Sequence, residues 1–324
     1  MISVERLGLI IGPDTDPSLG TNIQGPSVIR TPNWVEKPLG TYLCYFADHK
    51  GDHIRLAYSN EIAGPWTVHQ GGCLSLSDSR FLTEAPVATA AEVDAIVLQY
   101  DELYDGYDCV DVHADLTAPH IASPDVRVNN DDQRIEMWFH GLEHLGWQIT
   151  RYATSTNGID FVVDPPIFDG TYLRMFRIGD HDYGLAMPGK VLRCSGGPTE
   201  FDDGPTILPP TTRHMAVWPL DGELLVLFTT VGDAPERIMM VSVDTTLPWT
   251  EWTASQPVEV MRPEHDWEGA DVLVEPSIRS FWPDRANQLR DPDVFLDNDG
   301  TAYLFYAVAG ECGIAAARLS VLLD

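Results

Sequence analysis

Short apolar runs separated by turn-forming residues extend along the whole 324-residue chain. Typical runs lie at residues 41–46, 134–139 and 301–306, and they are rich in β-branched and aromatic residues. Gly, Pro, Asp and Asn interrupt these runs, and few stretches repeat apolar residues at the helical spacing. The pattern therefore predicts an all-β fold.

The same strand pattern recurs five times along the chain. Each copy contains an inner strand, a hairpin partner, a third strand and an aromatic residue at the outer edge. The copies span residues 25–66, 123–161, 172–201, 213–252 and 289–318. Four antiparallel strands per copy, repeated radially, predict one domain over residues 1–324, a five-bladed β-propeller.

Two further features follow from this repeat. A strand within residues 4–11 is expected to pair with the last blade and close the ring, which would remove an exposed edge. The outer aromatic residues are expected to pack between blades. They are Trp66, Phe161, Phe201 and either Trp249 or Trp252.

The fifth copy contains the clearest candidate for chemistry. Asp291 precedes Pro292 at the mouth of a short apolar strand. The turn Asn298-Asp299-Gly300 then separates this strand from an aromatic-rich one, which predicts a β-hairpin because Gly accepts a positive φ. A strand mouth holds a carboxylate rigidly, and partners for Asp291 would come from the other copies.

Composition narrows the classes of partner. Acidic residues outnumber basic ones by 49 to 20, and the formal net charge of −29 argues against nucleic acid and anionic membrane surfaces. No apolar run approaches the roughly 18 residues of a membrane helix, and the start has no signal-peptide pattern. Five cysteines, without CxxC spacing, favour a reduced, cytoplasmic chain over a disulfide framework or zinc site.

Two segments lie outside the repeat. One is the acidic and aromatic stretch at residues 101–108, and the other runs from residue 262 to residue 278. Long loops on a propeller often form the rim of a site, although solvated decoration is an equally simple reading for the acidic stretch.

Aligning the copies places polar residues at one level of the central channel. Gly25, Ser123 and Asp291 each precede a proline, and two residues later the side chain points to the same side of the strand. The resulting candidates are Asp291, Asp125, His120, His214, Arg290 and Arg174, with Glu311 and Glu275 from nearby loops.

Carboxyl groups that face each other across a channel suit glycoside hydrolysis. One must keep its proton to protonate the leaving oxygen, and the other must be ionised. Structural readings stay open: an Asp before Pro can accept backbone hydrogen bonds, and the histidines can belong to the core. His140 and His144 have a metal-ligand spacing, but Gly141 and the strand context disfavour a zinc helix.

The motifs Arg290-Asp-Pro-Asp-Val294, Asp299-Gly300 and Tyr303-Leu-Phe-Tyr306 resemble the blade motif of five-bladed propeller glycoside hydrolases. These are glycoside hydrolase family 43 and its relatives, families 32, 62, 117 and 130. The resemblance covers the whole chain at the level of blade pattern. It implies an aspartate base before Pro, a second aspartate that tunes pKa and position, and a glutamate acid.

Carried onto this chain, the resemblance implies a role for each carboxylate. Asp291 matches the Asp-Pro base, Asp125 the second aspartate, and Glu311 or Glu275 the acid. The chain departs from the family pattern at Gly25, where the first blade often holds the catalytic Asp. A histidine acid, as in enzymes resembling family 117, keeps His120 and His214 as alternatives.

The sequence thus predicts a glycosidase on plant or algal oligosaccharides, of arabinoside, xyloside or galactoside type. Asp291 and Glu311 would be base and acid, while Asp125, His120, His214 and Arg290 would orient the sugar. The alternatives are a phosphorylase, in which Arg174, Arg177 and Arg290 bind the anion, and a sugar-binding propeller without turnover. No cofactor is required; a divalent cation on the propeller axis would be structural or would tune pKa values.

Overall fold

The five-bladed propeller predicted from the sequence is confirmed. The computed structural model describes residues 2–104, 109–280 and 282–321. Within these ranges, the strands form five four-stranded antiparallel sheets. In the first four blades the strands follow chain order from the inside outward, while the fifth has the order β1-β20-β19-β18.

The strand bounds follow the predicted copies closely. In chain order they are β1 (Ile2–Ile11), β2 (Gln24–Arg30), β3 (Tyr42–Ala47), β4 (His53–Ser59), β5 (Thr67–Ser75), β6 (Ile121–Asn129), β7 (Arg134–His144), β8 (Trp147–Ser155), β9 (Val162–Phe168), β10 (Arg174–Ile178), β11 (His181–Ala186), β12 (Lys190–Cys194), β13 (Phe201–Thr206), β14 (Thr212–Leu220), β15 (Glu223–Thr230), β16 (Ile238–Asp244), β17 (Val258–Met261), β18 (Arg290–Leu296), β19 (Ala302–Ala307) and β20 (Ile314–Val321).

The N-terminal strand closes the ring as predicted. β1 pairs antiparallel with β20, from Ile2 opposite Val321 to Ile11 opposite Ile314. The fifth blade therefore contains both ends of the described chain. The predicted turn at Gly300 is also present: Gly300 has a φ of 83°, and its N–H donates to the Asp297 carbonyl at 2.9 Å.

Aromatic residues at the outer edges pack between blades, as expected. Trp66 lies in a cluster with Phe295 and Phe305 of the fifth blade. Phe161 of the second blade makes an edge-to-face contact with Tyr45 of the first, with ring centroids 5.7 Å apart. β3, the hairpin partner in the first blade, is buried along its whole length, because blades cover both of its faces; this explains its continuously apolar sequence.

Polar side chains connect neighbouring blades near the channel. In three of the five blades, the residue two positions after the mouth accepts a backbone N–H from the inner strand of the next blade. These bonds join Val126 N to Ser27 Oγ (2.9 Å), Met175 N to Asp125 Oδ2 (2.9 Å) and Val28 N to Asp293 Oδ2 (3.0 Å). The interblade bonds fix the relative height of the inner strands and so the positions of the residues at their mouths.

Helical structure is concentrated between the first two blades. The α-helices are α1 (Ala90–Tyr104) and α2 (Val112–Thr117), and 3-10 turns lie at Leu76–Asp78, Trp249–Glu251 and Asp266–Glu268. The sequence analysis assigned no helix here, although Thr89 and Glu92 form a reciprocal capping box. Of the predicted acidic insertion, residues 105–108 lie outside the described residues.

Within the described ranges, no helix is long and apolar enough to cross a bilayer. The cytoplasmic location stays a prediction.

Candidate active site

A pocket of about 290 Å³ opens where the inner strands begin. The start of the inner strands forms one wall, and the β3–β4 hairpin, α1, α2 and the segment before β18 form the rest. Of the two segments outside the repeat, the acidic stretch contributes Leu103, whereas Arg279 and Ser280 lie just after the 262–278 segment, which does not line the pocket. Its lining residues are Gln24, His49, Lys50, Tyr100, Leu103, Asp115, His120, Ala122, His140, Trp147, Gln148, Asp169, Gly170, Thr171, Tyr172, Met187, Pro188, Arg213, Arg279 and Ser280.

A ring of residues with left-handed backbone lies at the mouth of the five inner strands. Gly25, Ser123, Tyr172, His214 and Asp291 have φ values of 65°, 48°, 52°, 44° and 45°. The alignment of Gly25, Ser123 and Asp291 is thus confirmed, and Tyr172 and His214 complete the ring. Bulky residues adopt this conformation at a cost of about 1–3 kcal/mol each, and such residues cluster at functional sites.

Asp291 is the most unusual carboxyl group in this ring. It is fully buried, and neither carboxyl oxygen has a well-aligned hydrogen-bond partner. Burial, followed by the nearby Glu311 charge, raises the pKa of Asp291 to about 7 against the pull of Arg213, Arg290 and Arg174. Asp291 is consequently protonated below about pH 7, a range in which an ordinary aspartate is already ionised.

His214 is the closest ring partner of Asp291. The Asp291 N–H donates to Nδ1 of His214 at 3.4 Å, which leaves the proton of a neutral ring on Nε2. Nε2 lies 3.1 Å from Oδ1 of Asp291. Burial, together with Arg213 and Arg290, lowers the pKa of His214 well below its usual value. A neutral imidazole therefore stands beside a carboxyl group that holds its proton.

Glu311 has the opposite environment. It is 1% exposed, and Arg290 Nη1 donates to its Oε1 at 2.8 Å. Burial alone would raise the pKa of Glu311, but His49, Arg290 and Asn22 hold it well below the usual range. The Glu311 carboxylate is therefore ionised in the folded protein near neutral pH.

Glu311 ends a buried ladder of alternating charges. Arg213 makes a bidentate contact with Glu236, at 3.0 Å from Nε and 2.6 Å from Nη2. Arg290 Nε lies 3.2 Å from the same carboxylate, and Arg290 then reaches Glu311. The ladder links the fourth blade to the fifth, and its Arg290 holds Oε1 of Glu311 in place.

Three uncharged rings, those of Tyr172, His120 and His140, line the pocket. Tyr172 lines the pocket, with its ring centroid 4.5 Å from that of His140 and 5.1 Å from that of His214. Burial, then Asp291 and Glu311, raises the pKa of the Tyr172 phenol. Burial lowers the pKa of His120 to about 3 and that of His140 well below its usual value. These rings are neutral hydrogen-bonding groups.

Of the sequence-predicted residues, only His120 lines the pocket directly. Asp291, His214, Glu311 and Arg290 lie together, buried close to it.

Asp125, Arg174 and Glu275 require corrections. Asp125 pairs with Arg127 at 2.8 Å and accepts an interblade N–H, so its oxygens are engaged in the fold. Arg174 donates to the carbonyls of Met215 (2.9 Å) and Pro124 (2.8 Å), which joins three blades. Glu275 is exposed and does not line the pocket. The expectation that these residues bind or transform a sugar is not supported by their positions.

The predicted anion site is also dispersed. Arg174 and Arg290 are fully buried, whereas Arg177 is exposed and lies 3.9 Å from Asp182. No phosphate can contact these three guanidinium groups together.

The sequence analysis missed several residues of the pocket. His49 and Lys50 lie in a hairpin tip, Arg213 precedes His214, and Tyr172 takes the ring position in a blade without the Pro signal. Glu236 could have been found, because it occupies the same hairpin of the fourth blade as Glu311 does of the fifth. Both residues follow a Gly-containing loop after the second strand.

The axial divalent cation stays a prediction. No group of three or more His, Cys, Asp or Glu side chains among residues 2–104, 109–280 and 282–321 is arranged to hold a metal ion. The buried guanidinium groups of Arg174, Arg213 and Arg290 would also repel one.

A scan against protein-family models gives no match. Among curated proteins, the chain is 32% identical over 324 aligned positions to the uncharacterized protein R118 of Acanthamoeba polyphaga mimivirus. The alignment covers 92% of this chain and 83% of the viral protein. This degree of identity and coverage establishes kinship, and the viral protein's name specifies no activity.

Solved structures share the fold. An exo-β-1,3-galactanase from Phanerochaete chrysosporium has a TM-score of 0.56 at 13% identity, over 98% of this chain and 63% of that one. The chain thus spans just under two thirds of the galactanase. A thermostable family 43 glycoside hydrolase has a TM-score of 0.57 at 12% identity, over 94% and 91% of the chains. A family 43 β-xylosidase/α-arabinofuranosidase from a compost metagenome has 0.54 at 12%, over 99% and 94%. These likenesses show a propeller of the family 43 type.

Proposed function

The chain belongs to the family of the mimivirus protein R118, and we propose from its pocket that it is a glycoside hydrolase. The observation that carries the proposal is the pair Asp291 and Glu311. Their environments push their pKa values apart, one to about 7 and the other well below its usual range. Two neighbouring carboxyl groups with opposite shifts are the arrangement that acid/base glycoside hydrolysis needs.

The pKa directions support a division of roles that reverses the one expected from the sequence. Asp291 holds a proton near neutral pH and supplies it to the leaving oxygen. Glu311 stays ionised and supports the base that activates water. The sequence analysis gave Asp291 the role of base and Glu311 that of acid, an assignment that stays a prediction; the proposal here follows the local charges.

Asp291 has no exposed oxygen, so its proton needs a side chain to carry it into the pocket. Tyr172 is the best placed one: it lines the pocket, and its phenol responds to the Asp291 charge. In this proposal the phenol donates to the leaving oxygen while it takes the proton from Asp291. The phenol itself therefore never needs to ionise, which its raised pKa would oppose.

The finer proposal concerns the substrate. The fold neighbours act on β-1,3-galactan and on xylosides and arabinofuranosides by their names. The pocket has the indole of Trp147 in its wall, and an aromatic ring provides an apolar face for a sugar. We therefore propose an exo-acting enzyme on plant or algal oligosaccharides with arabinose, xylose or galactose-type units.

Chromogenic glycosides test this proposal. We expect the wild type to hydrolyse at least one 4-nitrophenyl arabinoside, xyloside or galactoside in phosphate-free buffer. Tyr172→Phe should lower kcat about 10²-fold or more while KM changes little, because the ring stays and the proton path is lost. Release of 4-nitrophenol measures the rate.

The control for this test is Tyr303→Phe, in β19 of the fifth blade and outside the pocket, which should leave kcat unchanged. Full activity of Tyr172→Phe would contradict the proton path. A wild type inactive on these glycosides and on matching oligosaccharides would overturn the proposed hydrolase.

One observation favours a second candidate, a sugar-binding propeller without turnover. The carboxyl groups that line the pocket itself are Asp115 and Asp169, and Asp115 contacts Lys50 and Ser280. If these are the only carboxyl groups that a sugar meets, calorimetric titration should show binding and the glycoside assay should show no product. The phosphorylase alternative would instead require inorganic phosphate for turnover.

A further inference from the structure

His49 lies at the tip of the β3–β4 hairpin and lines the pocket, with its side chain 15% exposed. The geometry points to His49 as the side chain that takes the proton from the attacking water, with Glu311 as the carboxylate that orients its ring. This inference rests on the proposed hydrolase and deepens it, because it names the base that touches the water. Glu311, which is almost fully buried, then acts through His49.

Two contacts fix His49 on Glu311. Nδ1 of His49 lies 3.3 Å from Oε2 of Glu311. The His49 backbone N–H donates to Oδ1 of Asn22 at 2.8 Å, and Nδ2 of Asn22 donates to the same Oε2 at 2.8 Å. Ring and backbone are thus held against one carboxylate oxygen. With Nδ1 held by Glu311, the inference assigns the proton of the attacking water to Nε2.

Comparison of two blades shows what is special about this position. Glu236 and Glu311 are equivalent: each backbone carbonyl accepts an N–H from the start of the next inner strand, from Leu289 at 3.0 Å and from Ile23 at 2.6 Å.

Their side-chain partners differ. The Glu236 carboxylate lies between Arg213 and Arg290, two permanent cations. Glu311 has Arg290 on one side and His49 on the other. A group that can gain and lose a proton therefore stands where the neighbouring blade has an arginine, and it stands at the pocket wall.

The resulting step is balanced. The lone pair of Nε2 of neutral His49 takes a proton from water, and the water oxygen forms a bond to the anomeric carbon. The bond from that carbon to the leaving oxygen breaks, and the leaving oxygen receives the proton that originates on Asp291. His49 ends as an imidazolium whose charge Glu311 offsets, and exchange with solvent restores both groups.

Substitution of His49 tests the inference on the 4-nitrophenyl glycoside that the wild type hydrolyses best. We expect His49→Gln to lower kcat about 10²- to 10⁴-fold with KM changed less than about threefold. The limb of the pH–rate profile that reports the base should disappear in this variant. In His49→Ala, added imidazole should restore part of the lost rate.

The matched control is His53→Gln. His53 also has Nδ1 against a carboxylate, at 2.6 Å from Oδ1 of Asp52, but it does not line the pocket. We expect its kcat to equal that of the wild type. A histidine with a merely structural role would behave differently from the prediction: His49→Gln would lose stability or raise KM, keep the pH limb, and show no rescue by imidazole. That outcome would overturn the inference.

A second measurement addresses the Glu311 contact without turnover. The ¹⁵N shifts of His49 should report the Nδ1–H form in the wild type and a mixed population in Glu311→Gln. Failure of the two proposals can be told apart. If the wild type is active and the His49 variants are fully active, only the role of His49 as base is contradicted. If the wild type is inactive on every glycoside, both the proposed hydrolase and the role of His49 are contradicted.

Discussion

Asp291→Asn is expected to lose activity and gain stability. Removal of the proton donor should lower kcat about 10²- to 10⁴-fold. At pH 8 the ionised Asp291 carboxylate is buried without aligned partners. The rise of its pKa from 3.8 to about 7 corresponds to a loss of folding stability on the order of 4 kcal/mol. Burying an amide costs part of that, so we expect a free energy of unfolding about 1–3 kcal/mol above wild type.

The pH dependence has a definite sign. The folded-state pKa of Asp291 lies above its unfolded value. Its stabilising contribution is therefore fully present below about pH 3.8 and is lost as the pH rises through about 7. The advantage of Asp291→Asn should grow between pH 5 and pH 8, as measured by urea unfolding at each pH. Asparagine also tolerates the φ of 45° at this position.

Asp125→Asn is the matched control for this change. Asp125 is equally buried and lies two residues after Ser123, the mouth of the second blade, but it pairs with Arg127 and accepts the Met175 N–H. The same substitution should here cost about 1–3 kcal/mol and leave kcat per folded molecule unchanged. If Asp291→Asn destabilises as much as Asp125→Asn does, Asp291 is a structural residue of the ring.

The contrast between Asp291 and Asp125 shows which features of the site can be predicted from the sequence. The repeated proline places Gly25, Ser123 and Asp291 at one level, and the structure confirms it. Tyr172 and His214 share that level without a proline to mark it. Whether an aspartate has partners depends on the adjacent blade: Met175 reaches Asp125, while His214 leaves the Asp291 oxygens without aligned bonds.

The fold itself was predictable because each strand pairs mainly with its neighbour in the chain. The site was less so, because its contacts cross between blades that are distant in sequence. His49 meets Glu311 only when the ring closes, and Tyr100 reaches the pocket only because α1 packs beside β7. The α1 helix carried a readable signal in Thr89 and Glu92, whereas the contacts of His49, Arg290 and Asn22 that lower the pKa of Glu311 had none.

Arg290→Met is expected to be the most destabilising of these substitutions. Arg290 is fully buried between Glu236 and Glu311, and its loss leaves Glu311 without an arginine while Glu236 keeps Arg213. Breaking a buried ion pair from one side costs on the order of 3–5 kcal/mol, because an uncompensated charge stays in the interior. Chemical denaturation at pH 7 measures this loss.

The ion-pair origin of that loss can be recognised by its pH dependence and by an exposed control. Arg290 helps to hold the folded-state pKa of Glu311 below its unfolded value near 4.5, so this stabilisation is present above that pH and lost as the pH falls. The difference in free energy of unfolding between wild type and Arg290→Met should therefore shrink towards pH 4, where glutamate can take a proton. Arg285→Met removes an exposed bidentate pair with Asp271 and should cost less than about 1 kcal/mol. A deficit that is equally large at pH 4 and pH 7 would assign the effect to lost packing, and the charge ladder would then have no part in holding Glu311 ionised.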